Sequence, residues 1–263
     1  MELITSLQNS RVKNVIRLEK ASERRQQNLI VVEGLRELTL AAQAGWEIGS
    51  LFICREKVRH WAEVAVLERQ ANQVYGVSVP VFEKMAYRDN TDGLVALTVP
   101  RRLALSDVKL SPQPLLIVLE AVEKPGNLGA VLRTADAARV DAVIVCDPQT
   151  DLFNPNVIRS SVGCLFTNQV VVATTPEVQQ WLRGRGIRSC AAALTARHFY
   201  HQTDFTVPTA LVLGTEATGL SDAWLSGADQ QIKVPMQGRI DSLNVSATTA
   251  ILVYEARRQR NFE

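Results

Sequence analysis

The chain has 263 residues, 46% of them hydrophobic, enough to bury a sizeable core as one large domain or two smaller ones. No apolar run approaches the roughly 20 residues of a membrane span, and MELITSLQNS lacks the regions of a signal peptide, so the chain reads as a soluble protein of the cytoplasm. The net charge of +2 neither demands nor forbids a nucleic-acid partner, which leaves that question to how the charge is distributed.

Val12, Val15 and Ile16, continued by Glu19 to Arg25, read as an amphipathic helix carrying the basic residues Arg11, Lys13, Arg17, Lys20, Arg24 and Arg25. A strand over 29–32, a helix from Leu35, a strand over 51–54, a helix over 60–71 and strands over 74–79 and 93–99 follow. This alternation predicts a small α/β domain. Residues 100–113 mix Pro, Arg, Ser and Asp without periodicity and read as a linker, which places the domains at 1–99 and 114–263.

The second half alternates again, with strands over 115–119, 142–145, 170–173, 189–194, 211–213 and 231–234. Their near-continuous apolar character implies burial on both faces, hence a mostly parallel sheet covered by helices. Ligands of such sheets sit beyond the carboxyl ends of the strands. Three loops rich in Gly, Asn, Ser and Glu occupy that position here.

The first, VEKPGNLGAVLRTADAARV, turns at Pro125 and Gly126 into a helix that Asn127 is expected to cap. Leu128, Val131, Leu132, Ala135 and Ala138 form its apolar stripe, which leaves Arg133 off the stripe, one turn beyond Gly129 and open to a ligand. The Gly-Lys-Ser/Thr ending of a phosphate loop is missing, so a nucleotide triphosphatase is rejected. The second loop, LVLGTEATGLSDAW, hangs Glu216 between Gly214 and Gly219, with Ser221 expected as the next helix cap. The third, VPMQGRIDSLNVSATTA, leads into a long helix near Asn244, with Ser242 and Asn244 at its amino end and a buried stripe of Val245, Thr248, Thr249, Leu252, Val253 and Ala256.

Cys54, Cys146, Cys164 and Cys190 lie far apart in apolar contexts and read as reduced core residues. His198 and His201 are spaced like metal ligands, but no carboxylate or cysteine completes a set, so no metal is expected. The basic cluster Arg257, Arg258 and Arg260 reads equally as a solvated helix face, as cations at a helix carboxyl end, or as part of a nucleic-acid surface.

NLGAVLRTADA, LVLGTEATGLSD and VPMQGRIDSLNVSATTAILVYEARRQR, in that order and spacing, resemble the three motifs of the SpoU/TrmH branch of the SPOUT RNA methyltransferases. NSRVKNVIRL and VVEGLREL in the first hundred residues are similar to the ribosomal-protein-like RNA-binding domain that many members carry. The resemblance implies a deep trefoil knot in the second domain and transfer of a methyl group from S-adenosylmethionine to a ribose 2′-hydroxyl of RNA. It implies a cofactor site at Leu213, Gly214, Glu216, Gly219, Val234, Met236, Leu243 and Asn244, and a homodimer in which Arg133 reaches the cofactor of the other subunit. Arg133, Asn127, Glu216, Ser242 and Asn244 are the catalytic candidates. Family proposals make Arg133 the base, but a guanidinium is a very poor base at neutral pH, so a phosphate clamp with water or Glu216 taking the proton is the better physical role. Asn9, Lys13, Arg24 and Arg25 are the expected RNA contacts. The separate first domain favours 23S ribosomal RNA as substrate; transfer RNA, or a non-catalytic RNA-binding role, stay as alternatives.

Overall fold

The computed structural model describes residues 1–87 and 92–263. The chain divides into two compact units, one of Met1–Arg101 with Asp151–Thr167, the other of Arg102–Thr150 with Asn168–Glu263.

The first unit begins with β1 (Glu2–Ile4) and α1 (Ser10–Arg17). Asn9 starts that helix by accepting from the Arg11 amide at 2.9 Å, satisfying one of the donors a helix end leaves open. α2 (Ala21–Gln27), β2 (Ile30–Glu33), α3 (Leu35–Gln43), β3 (Ile48–Ile53), α4 (Trp61–Gln70), β4 (Gln73–Val77), α5 (Val79–Met85) and β5 (Leu94–Thr98) follow. The strands form one mixed sheet in the order β1-β4-β3-β5-β2, with β5 antiparallel to both its neighbours. Val12, Val15 and Leu18 pack with Phe52, Tyr75, Phe82 and Val95 in its core. Each such side chain contributes on the order of 2 kcal/mol on burial.

The second unit contains β6 (Leu115–Glu120), α6 (Pro125–Ala137) and β7 (Ala142–Cys146). After β7 the chain forms α7 (Pro155–Ser160) and α8 (Cys164–Thr167), which group with the first unit, and then returns. β8 (Val170–Ala173), α9 (Thr175–Gly184), β9 (Arg188–Ala192), β10 (His198–Phe199), β11 (Thr209–Leu213), α10 (Asp222–Gly227), β12 (Gln230–Lys233) and α11 (Val245–Gln259) complete the chain. The sheet order is β10-β12-β9-β11-β6-β7-β8, and the pairings are parallel throughout. Strands β6, β7 and β11 are buried along their length, as apolar runs without alternation require. This is the α/β class expected from the sequence.

Two segments behave differently from their sequence reading. Residues 100–113 were expected to be a free linker, yet Val108 is 5% exposed within the second core and the Lys109 amide donates to Gln169 Oε1 at 2.9 Å. Residues 151–167, expected in the second domain, seal the first unit instead. Trp46 meets Phe166 and Phe153 edge-on, with ring centroids 5.0 and 6.2 Å away, and Gly163 packs so closely that a Cβ there would lie 2.8 Å from Leu40 Cδ1. Arg24 donates to Asp151 through Nε at 2.9 Å and to the Leu18 and Glu19 carbonyls at 2.8 and 2.7 Å.

The terminal arginines are spent inside the second unit. Arg257 donates to the Ala138 and Arg139 carbonyls at the end of α6, and Arg260 to those of Phe205, Val207 and Gln113. They satisfy carbonyls that α6 and the approach to β11 leave open. All four cysteines are buried, and burial pushes the Cys146 thiol up to about 12 and that of Cys190 up to about 11. Among the described residues no helix is long and apolar enough to cross a membrane.

Candidate functional site

Parallel pairing places β11 against β6 with Leu213 opposite Leu119, so the first and second loops leave the sheet side by side. The helix after β6 starts one turn earlier than its residue pattern suggests. Pro125 takes the first helical position, where its missing N–H costs nothing, and Asn127 lies inside α6 rather than at its cap. Its side chain is therefore available for longer reach. Asn127 Nδ2 donates to Glu216 Oε1 at 3.0 Å, and Asn127 Oδ1 accepts from Asn244 Nδ2 at 3.1 Å.

Asn244 also donates to Glu216, while its own Oδ1 accepts from the Ser246 amide at 2.9 Å and caps α11. Lys124 completes the cluster with an ion pair to Glu216 Oε2. All three loops thus converge on one carboxylate. The Lys124 ammonium, followed by the Asn127 amide, holds the Glu216 carboxyl below the usual carboxylate range, and the same pair raises Lys124. Lys124 was missed from sequence; its signal was a cation directly before the proline that opens the helix.

The second loop closes on itself. Thr215 and Gly219 exchange both backbone hydrogen bonds at 3.1 Å, and Gly219 adopts φ +72°. A Cβ on Gly214 would lie 2.2 Å from Gly219 C and O and 2.5 Å from Leu220 N. Any side chain there would force the loop backbone apart, so position 214 selects glycine. Ser221 precedes α10 but does not cap it. Its hydroxyl and amide donate to the buried Glu120 carboxylate at 2.6 and 2.8 Å, and Thr175 Oγ1 adds a third bond at 3.3 Å. Glu120, which the sequence reading did not single out, anchors the far end of the loop.

Beside this loop lies a cleft of about 420 Å³. Leu213, Gly214, Glu216 and Gly219 line one wall, and Val234, Met236, Ser242 and Leu243 another. Ala193, Leu194 and Thr195, after β9, contribute a wall that sequence reasoning missed, although its signal was the carboxyl end of a neighbouring parallel strand. Of the expected cofactor residues, only Asn244 stands off the cleft, held in the Glu216 cluster. Two carboxylates, Glu216 and Asp241, and one ammonium, Lys233, line the cleft.

Arg133 is exposed on α6 and does not line this cleft. Gly129 is buried, so the open patch that the two residues were expected to share does not exist. Among the expected RNA contacts, Lys13 and Arg25 are exposed and Asn9 is occupied as a helix cap. Arg24 must be corrected: it is 3% exposed, and its guanidinium is consumed by Asp151 and two carbonyls. No group of three or more His, Cys, Asp or Glu among the described residues could hold a metal ion.

Residues 114–254 match the model of the SpoU rRNA Methylase family, and residues 9–96 match that of the MRM3-like substrate binding domain. A Synechocystis protein named as an uncharacterized tRNA/rRNA methyltransferase is 34% identical, over 98% of this chain and 94% of its own. The 23S rRNA (guanosine(2553)-2′-O)-methyltransferase RlmP of Bacillus subtilis is 29% identical, over 98% of this chain and all of its own. An AdoMet-bound rRNA methyltransferase from Sinorhizobium meliloti superposes with a TM-score of 0.90 at 30% identity, covering 98% of this chain and 97% of that one. With one family model spanning more than half of the chain, and with the three motif loops gathered at one end of a parallel sheet, the protein belongs to the SpoU rRNA methylase family.

Proposed function

We propose that the protein transfers a methyl group from S-adenosylmethionine to a ribose 2′-hydroxyl of RNA, with 23S ribosomal RNA as its substrate in the cytoplasm. The observation that carries this reading is the convergence of Asn127, Glu216 and Asn244 beside a cleft whose floor selects glycine. The B. subtilis relative is a 23S rRNA 2′-O-methyltransferase by name, and the S. meliloti structure holds the methyl donor.

The cleft suits that donor. Its volume falls within the roughly 300–1,000 Å³ of small-molecule sites, Gly214 and Gly219 let backbone approach a planar ring, and Glu216 and Asp241 complement a positive centre. When bound, S-adenosylmethionine supplies an activated methyl whose bond to sulfur breaks as the bond to oxygen forms, the electron pair staying on sulfur. What remains for the protein is alignment of a weak nucleophile and removal of its proton.

Asn127 and Asn244 hold the Glu216 carboxylate in one orientation. Glu216 accepts the proton of the 2′-hydroxyl, directly or through water, once Lys124 turns from it to an RNA phosphate. Arg133, exposed and away from the cleft of its own chain, serves the cleft of a partner subunit in a homodimer and clamps the neighbouring phosphate there. Residues 1–99 provide RNA recognition, with Asn9, Lys13 and Arg25 at the phosphates, and 114–263 provide the chemistry.

Mapping 2′-O-methyl positions in ribosomal and transfer RNA from cells with and without the gene tests the reading. A ribose methyl lost from 23S ribosomal RNA is the expected result. A loss confined to transfer RNA overturns the substrate, and a methyl on base atoms overturns the reaction.

A further inference from the structure

His198 and His201 are the one motif of the sequence that neither the core nor the cleft absorbs. β10, which begins at His198, is the outermost strand of the second sheet and pairs only with β12, Phe199 opposite Lys233. The rings of Phe199 and His201 are nearly parallel, at 7°, with centroids 5.6 Å apart. Tyr200 stands edge-on to His201 at 5.5 Å, and Lys233 Nζ lies 5.5 Å from the Phe199 ring centre. His201 is exposed, and Phe199 and Tyr200 are half-exposed, so three aromatic rings remain in solvent contact on a sheet edge.

Charge and position give this patch a direction. Arg197 brings positive charge to it beside the exposed His198 and His201, and Lys233 adds a cation that also lines the cleft. Glu255 is the acidic group that faces His201, and it is already occupied by Arg258 at 2.8 Å. Flat rings among cations next to a reaction cleft match what single-stranded RNA requires: faces for its bases and positive charge for its phosphates.

We infer that Phe199, His201 and Lys233 form a stacking platform for single-stranded RNA at the rim of the cleft. This rests on the proposed RNA methyl transfer and adds to it a place, in the second unit, where nucleotides flanking the target are held. A base stacks on the exposed ring of His201 and extends the pair that His201 makes with Phe199, and Lys233, beside Phe199, contacts the adjoining phosphate. A base held there fixes the backbone of the neighbouring nucleotide, whose ribose hydroxyl must be aligned with the methyl donor.

The test uses the full chain and a fluorescein-labelled single-stranded RNA of about 12 nucleotides. The pair Phe199→Leu with His201→Ala keeps apolar bulk at 199 but removes both rings, and the RNA dissociation constant rises about tenfold or more. Phe199→Trp, which keeps a ring face, retains wild-type affinity. Lys233→Gln lowers the slope of log affinity against log salt by about 0.7. S-adenosylmethionine affinity by calorimetry is unchanged in Phe199→Leu. RNA affinity equal to wild type in the double variant overturns the platform, as does a change of oligomeric state, which would mark the patch as a contact between copies. Failure of the wild-type protein to bind RNA overturns the proposed function together with the platform.

Discussion

The side-chain amide of Asn244 donates to Asn127 at 3.1 Å across 117 residues of chain, while the carbonyl oxygen of the same side chain caps α11. One residue thus starts a helix and ties two loops. Substitution can separate the two duties.

Asn244→Asp keeps an oxygen for the Ser246 amide but loses the donor to Asn127 and Glu216 and sets a second negative charge beside Glu216. Thermal stability is expected to stay near wild type, while methyl transfer falls about 100-fold through misalignment. Asn244→Ala removes the cap as well and costs about 1 kcal/mol. Paired melting curves and single-turnover assays distinguish them; full activity in Asn244→Asp would reduce the residue to a cap.

Gly214→Ala drives a methyl group into the Gly219 backbone, 2.2 Å from its carbonyl carbon and oxygen. The loop must open to relieve the clash, at about 1–3 kcal/mol. Calorimetry is expected to show S-adenosylmethionine binding abolished in a protein that still unfolds cooperatively.

Arg24 and Arg25 are neighbours with opposite fates. Arg24→Met leaves Asp151 without its partner and is expected to cost about 3 kcal/mol, with no change in the salt dependence of RNA binding. Arg25→Ala is expected to leave stability within about 0.5 kcal/mol and to lower the salt slope by about 0.7–0.9. Denaturant titrations and RNA binding over a salt series read both, and equal salt slopes in the two variants would contradict the assignment.

Glu33 lies at the end of β2 with its carboxylate accepting from the Tyr87 amide at 2.8 Å, and burial pushes it from 4.5 up to about 7. A carboxyl raised on folding keeps its proton in the native state at a pH where the unfolded chain has already lost it. Stability from this group is therefore present below about pH 4.5 and lost as pH rises to about 7. Glu33→Gln retains the acceptor without the charge. Its melting temperature at pH 8 should exceed that of the wild type, by an amount worth at most about 3 kcal/mol, and the gap should close at pH 4.

The sequence was most legible where one physical rule acted alone. Apolar runs such as LLIVLE and TALVL read as buried parallel strands because nothing else explains them, and the three loops after β6, β11 and β12 stood out through residues a core does not need. It was least legible where a short-range rule competed with a distant partner. Asn127 and Ser221 both look like helix caps, yet one is drawn to Glu216 and Asn244 and the other to Glu120, 101 residues away. Arg24 read as a surface cation because Asp151, which buries it, lies 127 residues on. Lys124 and Glu120 carried no motif of their own. Their roles come from the level exits of β6 and β11, which only strand register reveals.

The excursion of α7 and α8 into the first unit ties the two halves of this chain together in construction. Between β7 and β8, adjacent strands of the second sheet, the chain leaves to supply Phe153, Phe166 and Asp151 to the first unit and then comes back. The two family segments are therefore not interchangeable cassettes. A recombination at residues 100–113 would deliver a first unit stripped of part of its own interior, and a second unit trailing two helices with apolar faces and nothing to cover them.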